Sequence, residues 1–299
     1  MNLSQRAKDG VKKSIKLALG QALGKLGLEV RRAPRVGGAG GVPPAEEGHG
    51  SKRDRSWSFD PEFLTAVEKS KTSVSGVEPM SAQPKLLTTY SSVKYVVQNK
   101  IPGALVECGV YQGRHVRLML ETLKAFGDTS RDVFLYDTFA GMTEPGTLDF
   151  KPHRKLSAET NRANWLANQQ NAAHEYNEAC AWPLEAVQRY IFESGYPKDK
   201  IHFIQGDIRQ TVPAQAPQAL LGESHGAIAV FRIDLDWHDL IKHVLDAMYG
   251  SVVRGGVVIS DDYGTWFGAK KAFDDFLKSR ELHPLLFRTD LTERAFLAP

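Results

Sequence analysis

From residue 57 onward, short apolar runs alternate with longer amphipathic stretches. Ala104–Cys108, Val133–Asp137, Ile201–Gln205, Ala227–Asp234 and Val257–Ser260 are each apolar, brief and followed by turn residues. That pattern marks strands covered on both faces. Helical spacing fits Val116–Phe126, Leu184–Ser194, Leu240–Tyr249 and Ala269–Leu277, with further helices near 60–70 and from Ala82 to Asn99. Alternating β and α units predict a doubly wound, Rossmann-like α/β sheet with parallel strands and helices on both faces. Ligands of such sheets bind outside the carboxyl ends of the strands, so chemistry is sought there.

The first 56 residues read differently. Val11, Ile15, Ala18, Leu19, Ala22, Leu23 and Leu26 share one helical face with lysines beside it, so residues 1–33 read as a basic amphipathic arm suited to an anionic membrane surface or a partner. Residues 34–56 are Gly/Pro-rich and then charge-dense, the composition of a flexible linker. Charge sharpens this division. Residues 1–35 hold nine Lys/Arg against Asp9 and Glu29, so +7 sits in the arm of a chain whose total is +3, and the remainder is net −4. A net acidic body gives no support to nucleic-acid binding. Hydrophobic residues make up 42% of the chain, enough for a sizeable core. Two cysteines without a CxxC pair fit a reducing compartment, and no apolar run reaches the roughly 18 residues of a membrane span. With no signal-peptide pattern, the expectation is a cytoplasmic protein, with the inner membrane surface as the arm's place of contact.

Candidate chemistry lies at the strand ends. The first strand runs into Glu107-Cys108-Gly109-Val110-Tyr111-Gln112-Gly113, where Gly109 and Gly113 permit a tight turn close to a ligand. The spacing is neither GxGxxG nor a Walker loop. Glu107 would repel a phosphate and suits the cationic amino-acid end of S-adenosylmethionine (SAM). Asp137, before Thr138 at the end of the second strand, is placed to accept ribose hydroxyls. Asp207, after Gly206 at the end of the third, is placed to accept from an adenine amine or to cap a helix. The fourth and fifth strands end in Asp234, Asp236 and His238, and in Asp261 and Asp262. Carboxylates crowded at one rim call for a neutralising cation, and their hard oxygens favour Mg²⁺, Mn²⁺ or Ca²⁺. A cation there would acidify a bound hydroxyl, and a nearby carboxylate could take its proton.

Together, VECGVYQG, LYDTFAGM, GYPKDKIHFIQGDI, RIDLDWHD and GGVVISDDYGTWFGAKKAFDDF resemble the macrocin O-methyltransferase (TylF-type) family over about residues 72–280. The resemblance implies a class I SAM-dependent methyltransferase domain over residues 57–299, with an N-terminal helical lid and with SAM and Mg²⁺ (or Mn²⁺) as cofactors. It implies a sugar or glycosylated natural product as acceptor, methylated on a hydroxyl. SAM would be held by Glu107, Gly109, Tyr111, Gly113, Asp137, Thr138, Gly206 and Asp207, with Ser73 at the start of the lid. Asp234, Asp261 and Asp262 would ligate the metal and Asp236 would act as the general base, a role for which His238 competes. The insertion at about 145–182, rich in Asn, Gln, His and Trp, suits a carbohydrate. A homo-oligomer, in the simplest case a dimer, is also expected. The competing readings are a catechol-like phenol as acceptor, a metal-dependent phosphoesterase, and a non-catalytic module in which the arm is the active part.

Overall fold

A computed structural model describes residues 60–71, 83–168, 180–212 and 226–299. The basic arm, the linker and Ser73 lie outside these residues. Two helices come first, α1 (Pro61–Lys69) and α2 (Gln83–Gln98). Strand β1 (Ala104–Cys108), α3 (Arg114–Ala125) and β2 (Val133–Asp137) follow, then α4 (Ala158–Ala167) and α5 (Leu184–Phe192). The second half holds β3 (Ile201–Gln205), the short α6 (Ile208–Thr211), β4 (Ile228–Ile233), α7 (His238–Met248), β5 (Val252–Ser260) and α8 (Phe267–Ser279). It closes with β6 (Phe287–Arg288) and β7 (Arg294–Leu297).

The sheet order is β3-β2-β1-β4-β5-β7-β6. The first five strands pair in parallel, while β7 runs antiparallel to both β5 and β6. The parallel part matches the expected sheet, and the first three strands have the expected limits. The antiparallel pair at one edge does not follow from the β/α alternation, because strands of two and four residues carry too few positions to show a period. Helix α4 is likewise unanticipated. Only Asn161 and Trp165 are buried along it, so it lacks the apolar stripe by which a helix is read.

Alternation along each strand sorts the core into two layers. Ala104, Val106 and Cys108 of β1 pack with Leu240, Ile241 and Val244 of α7 and Phe273 of α8. Leu105 of the same strand packs with Val93 of α2, Val116 and Met119 of α3, and Ile191 of α5. Because the chain leaves β1 toward β2 on one side and reaches β4 on the other, the order reverses between β1 and β4. A crevice at a topological switch point therefore opens above their carboxyl ends.

Candidate functional site

A cavity of about 530 Å³ occupies that crevice, within the range of small-molecule sites. Glu107, Gly109, Tyr111, Asp137, Thr138, Gly206 and Asp207 border it on one side, and Asp234, Asp236, Asp261 and Asp262 on the other. The five parallel strands thus bring to one place most of the residues picked out separately along the sequence.

The glycine turn fits only glycine at its first position. Gly109 has φ +88°, and a Cβ there would lie 1.8 Å from the Asp234 carbonyl oxygen. This close approach lets β1 and β4 end side by side. Asp137 ties the turn to β2. Its Oδ2 accepts from the Val110 and Tyr111 amides at 2.6 and 2.9 Å, and its Oδ1 accepts from the Phe139 amide at 2.8 Å. Thr138 closes the next turn, its hydroxyl donating to the Gly141 carbonyl at 2.6 Å. Asp207 caps α6 by accepting from the Arg209 amide at 2.9 Å and also pairs with the Arg209 guanidinium. Burial raises the Asp207 pKa, but Arg209 outweighs it and holds the carboxyl below its ordinary value. Asp207 therefore serves as a helix cap that borders the cavity.

Two residues singled out from the sequence stand outside the cavity wall. Gly113, with φ +83°, is the N-cap of α3 and faces Ile191 and Val187; its glycine character serves helix entry and packing. His238 opens α7, and its Nδ1 lies 2.7 Å from the exposed Asp239 carboxylate. Its backbone amide donates to Asp149 Oδ1 at 2.8 Å.

At the acidic rim, strand register builds a buried ionic row. Glu107 of β1 pairs in register with Arg232 of β4, which pairs with Ile259 of β5, which pairs with Ala295 of β7. Two residues along from the last two, on the same face, stand Asp261 and Glu293. Arg232 donates to Glu107 Oε1 at 2.7 Å and Asp234 Oδ2 at 2.8 Å, contacts Asp261 Oδ1, and lies 3.9 Å from Glu293 Oε2. Lys85 of α2 reaches Asp261 Oδ2 at 2.5 Å. Two cations thus face six carboxyl groups once Asp236 and Asp262 are included.

The excess appears in the pKa directions. Burial pushes Glu107 up to about 8 despite Arg232, and its Oε2 is buried without a hydrogen-bond partner. Asp234 is raised by burial and by Asp261. Asp262 is raised well above its ordinary value by burial, Asp236 and Asp234. Burial and then Asp234 push Asp236 up to about 7. Asp234, Asp261 and Asp262 each offer an oxygen, all within 4.8 Å of one another. An all-carboxylate set, with Asp234 and Asp262 raised by burial and by neighbouring carboxylates, fits a hard divalent cation.

Asp236 is held apart from that trio. Its φ is +58°, a costly conformation for a residue with a Cβ and one typical of functional sites. Its amide donates to Asp262 Oδ2 at 3.1 Å, and the Trp266 indole donates to its Oδ1 at 2.5 Å. The remaining oxygen is available to the cavity.

The far wall comes from the segment between β2 and α5 and from the starts of α7 and α8. Asn161, Asn164 and Trp165 of α4 line it, with Trp237, Trp266 and Lys151. The Trp165 indole donates to the Met142 carbonyl and that of Trp237 to the Thr143 carbonyl, both at 2.9 Å. Asp149 pins the segment in place. Besides holding the His238 amide it accepts from the Gly146 amide at 2.7 Å, while its own carbonyl accepts from Asn161. Sequence reasoning assigned no role to Arg232, Lys85, Glu293, Lys151 or Trp266. Only Arg232 had left a sign, as a cation inside an otherwise apolar strand.

Comparison with known proteins bears on this arrangement. The family model described as Macrocin-O-methyltransferase (TylF) matches residues 77–296. The chain is 32% identical over 171 residues to 8-demethyl-8-(2,3-dimethoxy-alpha-L-rhamnosyl)-tetracenomycin-C 4'-O-methyltransferase of Streptomyces olivaceus, covering 57% of each protein. It is 29% identical over 184 residues to demethyldecarbamoylnovobiocin O-methyltransferase of Streptomyces niveus, covering 62% of each. The chain therefore spans about three fifths of the length of these curated relatives. Among solved structures, the O-methyltransferase NovP has a TM-score of 0.60 at 24% identity, over 74% of this chain and 81% of NovP. The calicheamicin methyltransferase CalS11 has a TM-score of 0.53 at 18% identity, over 80% of this chain and 93% of CalS11. Both likenesses are of fold. Among the described residues no helix is long and apolar enough to cross a membrane.

Proposed function

The chain belongs to the macrocin O-methyltransferase (TylF) family, and from that membership we propose that it is a SAM- and divalent-metal-dependent O-methyltransferase acting on a sugar hydroxyl of a glycosylated natural product. The observation that carries the proposal is the single cavity in which an acid-lined glycine turn faces three clustered aspartates and a fourth held apart. Both relatives named above are O-methyltransferases, the first named for a rhamnosyl-bearing tetracenomycin and the second for demethyldecarbamoylnovobiocin, which supports the acceptor class.

SAM supplies an electrophilic methyl group and Mg²⁺ or Mn²⁺ supplies a Lewis acid. The chain's own residues position and deprotonate the acceptor. Glu107, Gly109, Tyr111 and the turns after β2 and β3 bind the nucleoside and amino-acid ends of the cofactor. Asp234, Asp261 and Asp262 hold the cation. Asp236 accepts the proton of the acceptor hydroxyl, with Trp266 fixing one carboxylate oxygen and directing the other. His238 is set aside because its ring is turned to Asp239, outside the cavity wall. The asparagines and indoles of the far wall orient the sugar by hydrogen bonds and aromatic faces. Methyl transfer needs little covalent help, so positioning is the main contribution of the protein.

The test is transfer of a labelled methyl group from SAM to a panel of glycosides and aromatic diols, with Mg²⁺ and with EDTA. Methylated glycoside in Mg²⁺ alone is the expected product; methylation of catechols to the exclusion of sugars contradicts the acceptor class. Asp261→Ala is expected to weaken Mg²⁺ binding by roughly tenfold or more, measured as the Mg²⁺ concentration giving half-maximal turnover. An unchanged half-maximal concentration counts against Asp261 as a ligand.

A further inference from the structure

Asp236, given the proton-accepting role above, has no cation in contact with it. Arg232 pairs with Glu107, Asp234, Asp261 and Glu293, and Lys85 pairs with Asp261. Among the described residues no lysine or arginine forms an ion pair with Asp236. Lys151 lines the same cavity but stands over a ring instead. Its Nζ lies 3.8 Å from the centroid of the Trp266 indole, and among the described residues it too forms no ion pair with a carboxylate. That indole donates to Asp236 Oδ1 at 2.5 Å. Ammonium, π face, indole N–H and carboxylate are thus joined in sequence.

Each part of this row is held independently. Trp266 is buried, its ring meets that of Trp237 edge-on at 4.8 Å, and its amide donates to the Asp262 carbonyl at 3.2 Å. The Lys151 amide donates to the Leu156 carbonyl at 3.0 Å, and the Leu156 amide donates back at 3.2 Å. The residues next to Lys151 and Trp266 join the two segments. The Phe267 amide donates to the Phe150 carbonyl at 2.9 Å, and the Phe150 and Phe267 rings stack at 4.6 Å. A cation over an indole face is attracted to the ring and draws electron density from it, which makes the N–H a stronger donor. A cation placed directly on Asp236 would occupy an oxygen that must accept a proton. Placed over the indole, it strengthens the hold on Oδ1 and leaves the other oxygen open to the cavity.

We propose that Lys151 is a positioning residue for the proton transfer, acting on Asp236 through the Trp266 indole. The catalytic role of Asp236 rests on the methyltransferase reading; the coupling of Lys151 to the indole hydrogen bond is tested without it.

The experiment follows the indole N–H resonances of the full-length, ¹⁵N-labelled protein, with that of Trp266 assigned by its loss in Trp266→Phe. Lys151→Met is expected to move the Trp266 proton upfield and to speed its exchange with solvent about tenfold or more. Lys151→Arg is expected to keep both close to wild type. Asp236→Asn, which exchanges a charged acceptor for a neutral one, should move the proton in the same direction. The Trp165 indole, which donates to the Met142 carbonyl, should keep its position throughout and shows that the variants fold. A Trp266 resonance that Lys151→Met leaves in place overturns the inference, as does one that Asp236→Asn leaves in place.

Methyl transfer is measured on the same variants. Lys151→Met is expected to lower kcat about tenfold with acceptor KM within about threefold, and Lys151→Arg to recover most of the loss. Trp266→Phe keeps a π face but loses the N–H, so adding Lys151→Met to it should cost no more than about twofold further. Losses that multiply in the double variant overturn the route through the indole. A raised acceptor KM at unchanged kcat overturns it too and makes Lys151 a direct contact of the acceptor. A wild type that transfers no methyl group strikes the methyltransferase reading, while the indole resonance still decides whether Lys151 acts on Asp236.

Discussion

Asp236→Asn is expected to lower kcat by roughly 10²–10⁴-fold, the usual contribution of a positioned general base. The substitution is nearly isosteric, and an amide oxygen can still accept from the Trp266 indole as the carboxylate now does. Backbone strain at φ +58° is retained, since asparagine tolerates that conformation at least as well as aspartate. Cofactor and metal binding should therefore change little, and the loss should fall on kcat rather than on KM. The pH profile separates this role from a structural one. Burial and Asp234 raise Asp236 to about 7, and only the ionised form can take a proton. Wild-type turnover should then fall as pH drops through an acidic limb, which a cation bound beside Asp236 moves below 7. The variant should lack that limb. A variant within about threefold of the wild type would remove Asp236 from the proton transfer and return attention to His238.

Arg232→Met is expected to destabilise the protein by about 3–5 kcal/mol, the range for removing one partner from a buried ion cluster. The methionine fills much of the same volume but leaves Glu107, Asp234, Asp261 and Glu293 facing one another with only Lys85 nearby. The effect has a sign with pH. Glu107 has an ordinary pKa of 4.5 and is raised to about 8 in the folded protein, so across that window the folded state binds more protons than the unfolded state. Its contribution is favourable below about 4.5 and is lost as pH rises toward 8. Removing Arg232 raises the buried carboxyls further. The Tm deficit of the variant should therefore be smaller near pH 5 than near pH 8, and added Mg²⁺ should recover part of it at the higher pH. A variant as stable as the wild type at pH 8 would contradict the view that Arg232 holds the carboxylates together.

The parts of the site that were legible in the sequence are those that sit at strand ends. Glu107, Asp137, Asp207, Asp234 and Asp261 each follow a short apolar run, and a parallel sheet carries every such position to the same rim. What escaped depends on register or on contacts distant in sequence. Arg232 meets Glu107 because β1 and β4 pair in a particular register, and no local pattern encodes that pairing. Glu293 comes from a strand too short to announce itself. Lys85 reaches Asp261 across 176 positions of sequence. The sequence could also not separate a binding acid from a capping one. Asp207 proved to cap α6, and Asp137 gives its oxygens to three backbone amides. Gly113 and His238 show the same limit, because adjacency to a motif does not decide whether a residue faces the cavity.

SAM is expected to occupy the cavity above β1 and β4. The measurement that tests it most directly is calorimetric titration of SAM into the full-length protein, with Mg²⁺ and again with EDTA. Saturable binding of one SAM per chain in both conditions is the predicted result, with Gly109→Val abolishing it because the added side chain would collide with the Asp234 carbonyl. A folded wild-type protein that takes up no SAM in either condition would contradict the claim, and the acidic rim would then belong to a different chemistry.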